Sequence, residues 1–90
     1  MKIAYKSSFL KAIQKLKEAD LKDAIFESVI NAENTNVISE IKNIKKLKGY
    51  SSYYRIRVGN YRIGLKWEES EKILYFVTFD HRKDIYKNFP

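Results

Sequence analysis

The sequence predicts an α+β fold: a small antiparallel sheet, with an N-terminal strand and a two-helix hairpin packed on one face. Three observations predict it. Tyr53 to Trp67 alternates apolar and polar residues on both sides of Gly59-Asn60, and a two-residue Gly-Asn turn between alternating runs is a hairpin signal. Upstream, apolar residues recur at three- and four-residue spacing in two consecutive stretches, the pattern of amphipathic helices. Downstream, Lys72 to Asp80 is apolar on both faces, as a strand inside a sheet is.

The elements follow in order. Lys2 to Tyr5 reads as a short first strand. Ser7 or Ser8 offers an N-cap to a helix running to about Ala19, with Phe9, Leu10, Ile13 and Leu16 on its apolar side. Asp20 is placed to cap a second helix whose apolar positions are Leu21, Ala24, Ile25, Val29 and Ile30. Helices this close in sequence form an antiparallel hairpin. Asn31 to Asn36 reads as a polar loop. Val37 to Leu47 reads as irregular, with a short edge strand near Ile44 to Leu47, and Gly49 supplies a turn. Tyr53 to Val58 and Tyr61 to Glu68 form the central hairpin. Glu69-Ser70-Glu71 is a second tight connection into the strand Lys72 to Asp80. The first strand, separated by a helical excursion, is expected to pair with a later one. His81 to Tyr86 leaves the sheet and makes one helical turn.

Ninety residues are expected to form one domain, 1–90. No run approaches the ~18 apolar residues of a membrane span, and the first residues lack a signal-peptide apolar region. Absence of cysteine excludes disulfide and thiol chemistry and makes the cytoplasm the default compartment. One histidine and no cysteine argue against zinc. Catalytic triads and phosphate-cradling glycine loops are absent too, so no metal or cofactor is expected.

With Gly59-Asn60 as the loop, Val58 pairs with Tyr61, Arg57 with Arg62, Ile56 with Ile63, Arg55 with Gly64, Tyr54 with Leu65 and Tyr53 with Lys66. Cross-strand partners share a face. Tyr54, Ile56, Val58, Tyr61, Ile63 and Leu65 then form a core face. Tyr53, Arg55, Arg57, Arg62 and Lys66 occupy the other, with Gly64 leaving a gap in the middle. Arg57 opposite Arg62 is a like-charge pair, which costs the sheet roughly 0.2–1 kcal/mol. A bound polyanion would compensate for it.

The net charge is +7, from 18 basic and 11 acidic residues. Its placement is uneven. Lys42, Lys45, Lys46, Lys48, Arg55, Arg57, Arg62 and Lys66 lie in a stretch that holds no Asp or Glu between Glu40 and Glu68, while the rest of the chain is close to neutral. Such concentration is the footprint of a nucleic-acid partner, although an anionic membrane or an acidic protein would also fit. Aromatic rings interleaved with arginines suit RNA better than sequence-specific duplex DNA: rings stack on exposed bases and guanidinium forks hold phosphates. Guanidinium groups fixed around a phosphate would also stabilise the charge that builds during 2′-OH attack, and Tyr86 or His81 could donate or accept the proton. On this reading Lys45, Lys46, Lys48, Tyr53, Lys66 and His81 are candidate RNA contacts.

The run K-L-K-G-Y-x-x-Y-Y-R-I-R-V-G-N-Y-R-I at 46–63, a basic strand, followed by H-R-x-D-I-Y at 81–86, resembles the RelE/ParE superfamily of toxins from bacterial and archaeal toxin–antitoxin pairs. The likeness covers nearly the whole chain. It implies a RelE-like fold of the microbial-ribonuclease type. Similarity to the RelE branch implies a ribosome-dependent endoribonuclease that cuts mRNA in the A site, where a ribose 2′-OH attacks the adjacent phosphate and leaves a cyclic phosphate and a 5′-OH. It also implies a cognate antitoxin, in a toxin–antitoxin hetero-oligomer. The two basic residues before the family's turn match Arg55 and Arg57, the arginine after it matches Arg62, and the C-terminal arginine and tyrosine match Arg82 and Tyr86. These five are the candidate catalytic residues. Some relatives use a histidine near this end, matching His81. The chain departs from the usual lysines at 55 and 57, and arginine is a poor proton shuttle because its pKa exceeds ~12. The ParE branch implies gyrase inhibition instead, and an inactive module binding nucleic acid or antitoxin is a third alternative.

Overall fold

The computed structural model describes residues 1–90. The order is β1 (Ile3–Tyr5), α1 (Ser7–Gln14), α2 (Ala19–Glu33), a 3₁₀ turn (Ile38–Glu40), β2 (Ile44–Lys46), β3 (Tyr53–Val58), β4 (Tyr61–Glu68), β5 (Ile73–His81) and α3 (Ile85–Asn88). The fold is α+β, and the five strands lie in the order β1-β5-β4-β3-β2. β2 to β5 are antiparallel neighbours, but β1 runs parallel to β5. The sheet is therefore mixed: the helical excursion leads from β1 into β2 at the far edge, and the three antiparallel turns that follow bring β5 back alongside β1 in the same direction.

The β3–β4 register is the one the Gly-Asn turn dictates, from Val58–Tyr61 to Tyr53–Lys66, and Gly59 takes φ +59°. Ile56, Ile63 and Leu65 are fully buried on the face that meets α1 and α2, together with Phe9, Ile25, Leu74 and Phe76.

β5 carries an irregularity that alternation alone does not reveal. Gly64 pairs with Thr78 but Leu65 pairs with Phe76, leaving Val77 as an extra residue. This bulge puts Phe76 and Phe79 on the same core face although they are three apart. It also turns Thr78 and Asp80 to the outer face. Ser8 Oγ donates a hydrogen bond to the Val77 carbonyl, which ties α1 to the bulge.

Helix ends differ from the sequence reading. α1 stops at Gln14, not near Ala19, and its N-cap is Lys6, because Ser8 is spent on β5. α2 begins at Ala19 with Glu18 as N-cap, so Asp20 sits inside the first turn and does not cap. α2 continues to Glu33, through the start of the expected polar loop. Ala32 is fully buried there, and Asn31 Oδ1 accepts the Lys42 N–H at 2.9 Å. Tertiary contacts thus extend the helix past its polar sequence.

The expected gap at Gly64 is filled. A Cβ at this position would fall 2.8–2.9 Å from three atoms of the Phe89 ring. Phe89 and Ile85 are 4 % and 2 % exposed, so the C-terminal turn α3 covers the outer face of the sheet at its middle. No helix is long and apolar enough to cross a membrane.

Candidate nucleic-acid interface

The outer face left uncovered by α3 is cationic. Register rows run across it: Lys45–Arg55–Gly64–Thr78 and Arg57–Arg62–Asp80. Arg55, Arg57 and Arg62 therefore point to one side, as alternation requires. None is neutralised internally. The three ion pairs of the molecule are Lys66–Glu68, Lys72–Glu69 and Lys87–Asp84, and no arginine takes part.

The guanidinium groups of Arg62 and Arg55 are held by backbone rather than by carboxylate. Arg62 Nη1 donates to the carbonyls of Gly59 and Tyr61, both at 2.9 Å. Asp80, its cross-strand neighbour, spends Oδ1 on the His81 N–H at 2.8 Å. Arg55 Nη1 donates to the Asn43 carbonyl at 2.9 Å, and the Arg57 N–H reaches the same oxygen at 3.1 Å. Asn43 presents that carbonyl from a left-handed conformation, φ 63°, which asparagine tolerates better than most residues. These contacts use few of the five donors each guanidinium carries, so the remainder are free for a ligand.

The electrostatics centre on Arg62. Its pKa is lowered from the ordinary arginine value, first by burial and then by the charges of Arg55, Arg57 and Arg82, while Tyr86 acts in the opposite sense. The other four candidate catalytic residues thus lie within electrostatic reach of the Arg62 guanidinium. Arg82 precedes the helical turn that carries Tyr86, because α3 begins only at Ile85. The Arg82 N–H donates to Asn60 O at 2.8 Å, clipping the end of β5 to the hairpin turn.

An open groove of about 970 Å³ adjoins this face. Lys45, Lys46, Lys48, Tyr50, Arg55 and Tyr86 line it, with Phe89 at its base. Arg57 borders a separate hollow beside Glu27 and Asn31 of α2. Lys66 shares its charge with Glu68 at 3.6 Å and lies 5.8 Å from the Tyr53 ring centre. The Tyr53 ring packs against Tyr50 and Phe89, so it supports the groove from behind. His81 pairs with Tyr61 on the core-facing side, with ring centres 5.3 Å apart. Its Nδ1 accepts the Lys83 N–H at 3.2 Å, which in the neutral ring leaves the proton on Nε2. His81 is thereby set apart from the arginine rows. Sequence reasoning passed over Asn43 and Tyr50; the K-G-Y order within the basic run was the available signal for Tyr50.

Residues 3–86 match the family model described as ParE toxin of type II toxin-antitoxin system, parDE. The chain belongs to that toxin family. Toxin RelE3 of Methanocaldococcus jannaschii is 38 % identical over 91 residues, spanning 100 % of both chains. Among solved structures, the toxin of the RelB–RelE antitoxin–toxin complex from Methanococcus jannaschii superposes with a TM-score of 0.75 at 33 % identity, covering 96 % of this chain and 98 % of that one. The archaeal RelE–RelB complex from Pyrococcus horikoshii OT3 gives a TM-score of 0.72 at 22 % identity, with 92 % and 96 % covered, a likeness of fold. The α+β fold described above matches those of the RelE toxin structures.

Proposed function

We propose that this chain is the toxin of a RelBE-type pair and acts in the cytoplasm, as one domain, by cutting mRNA on the ribosome. One observation carries the reading: Arg55, Arg57 and Arg62 share the outer face of the sheet with no carboxylate partner, and Arg82 and Tyr86 lie close enough to act on Arg62. A phosphodiester placed there meets positive charge on several sides. Attack of the ribose 2′-oxygen on phosphorus forms the cyclic phosphate and breaks the bond to the 5′-oxygen. Arg62 and Arg55 stabilise the non-bridging oxygens as charge builds. The Tyr86 hydroxyl, on a side chain 53 % exposed at the groove, donates the proton that the leaving 5′-oxygen takes. The 2′-OH proton passes to solvent or to a ribosomal group.

Lys45, Lys46 and Lys48 extend the cationic surface along the RNA strand. The names of the relatives support the RelE branch, and their crystallisation with RelB supports an antitoxin as partner here. An acidic or amphipathic antitoxin segment laid across the arginines would block access to phosphate. The ParE wording of the family model keeps gyrase inhibition as the second reading. Purified protein added to translating ribosomes, with mRNA 5′ ends mapped and a gyrase supercoiling assay alongside, separates the two. Codon-phased cleavage supports the ribonuclease; loss of supercoiling with intact mRNA assigns the protein to the gyrase branch.

A further inference from the structure

The groove beside Arg55 displays an aromatic ring that the cleavage scheme does not use. Tyr50 sits on the turn between β2 and β3 and is 49 % exposed. The turn is well defined. The Leu47 N–H donates to Tyr53 O at 2.8 Å, the Tyr50 N–H donates to Leu47 O at 3.3 Å, and Gly49 supplies a left-handed residue at φ +86°.

The ring is braced from behind. Tyr50 meets Tyr53 nearly at right angles, 82° with centres 5.9 Å apart. Tyr53 meets Phe89 in the same way, at 79° and 5.5 Å. Phe89 in turn fills the notch at Gly64. Three rings thus run in series from the rim of the groove to the floor of the sheet. Perpendicular packing takes up no more than one face of Tyr50, and with the residue 49 % exposed the ring is accessible from the groove.

We propose that the open face of Tyr50 is a stacking platform for an unpaired RNA base, with Lys46 and Lys48 holding the flanking phosphates. The identity of the ligand as RNA rests on the ribonuclease reading. A ring fixed by its neighbours loses little freedom on binding, and stacking on such a ring tolerates any base because every base has a π-face. An acidic peptide would use the lysines and leave the ring without a role.

The test is fluorescence anisotropy with a labelled single-stranded RNA of about ten nucleotides, a length matched to stacking sites of this kind. The same RNA lacking its bases is the control. Tyr50→Ala is expected to weaken binding to the intact RNA roughly tenfold, with the dependence of affinity on salt unchanged because no phosphate contact is lost. Tyr50→Phe keeps the ring and binds as the unaltered protein does. On the baseless RNA all three proteins bind equally. Equal affinity of Tyr50→Ala for the intact RNA overturns the platform. So does an equal loss on the baseless RNA, or a loss in Tyr50→Phe matching that in Tyr50→Ala. If the unaltered protein does not bind the free RNA, the platform is overturned, and if it also fails to cut mRNA on the ribosome the ribonuclease reading falls with it; equal affinities with RNA bound overturn the stacking alone.

Discussion

Gly64→Ala adds a single carbon to a fully enclosed position of β4. That carbon would lie 2.8 Å from the nearest Phe89 ring atom. Carbon atoms pack comfortably at about 3.5–4.0 Å, so the ring must retreat by about 0.7 Å or more. Backbone flanks it on the sheet side, and Phe89 is 4 % exposed, so retreat lifts α3. Overpacking of this kind costs about 1–3 kcal/mol, and complete release of the Phe89 ring costs a similar 1.5–3 kcal/mol. Urea unfolding of Gly64→Ala should therefore show a loss of about 1–3 kcal/mol. Because Tyr86 rides on the same turn, mRNA cleavage should also fall. The double-mutant cycle isolates the cause. Removing the ring with Phe89→Ala takes away the clash, so in that background Gly64→Ala should be nearly neutral. If the two substitutions add independently, Phe89 is not seated on Gly64 in solution and the account of α3 is wrong.

Further outcomes are expected of the site and its supports. Tyr86→Phe should lower cleavage by about 10²–10⁴, the usual worth of a general acid, while RNA affinity measured by anisotropy changes little. Lys48→Ala should flatten the plot of log affinity against log salt by about 0.7 for single-stranded RNA, a change that Tyr50→Ala does not produce. Ser8→Ala removes the hydrogen bond to the bulge at Val77 and should cost about 0.5–1.5 kcal/mol in urea unfolding, with cleavage by the folded protein intact.

The central hairpin was legible because a two-residue turn fixes register, and register fixes which side each arginine takes. From that alone the face bearing Arg55, Arg57 and Arg62 followed. The helix ends were not legible, because neither α1 nor α2 uses a side-chain cap; β5, the N-terminus and buried Ala32 set their limits instead. The Met1 ammonium, for example, donates to Glu33 O at 2.8 Å at the end of α2. Val77 was hidden because a bulge within a strand apolar on both faces leaves no break in alternation. Gly64 looked like a gap because its partner, Phe89, lies at the far end of the chain and meets it only in three dimensions. The same limit applies to Asn43, whose carbonyl orients Arg55 from another strand's approach. His81 carried a functional reading on residue type and on the resemblance to relatives with a histidine near this end, and its pairing with Tyr61 places it on the other side of the sheet.

Arg62 offers the most direct test, since the other three arginines and Tyr86 all act on it. The measurement is mRNA 5′-end mapping on translating ribosomes with Arg62→Ala, its fold checked by circular dichroism and urea unfolding. Removing one positioned charge donor should lower the cleavage rate by about 10²–10³ without loss of structure. Cleavage at the unaltered rate by a folded Arg62→Ala protein would contradict the claim that clustered guanidinium groups stabilise the reacting phosphate.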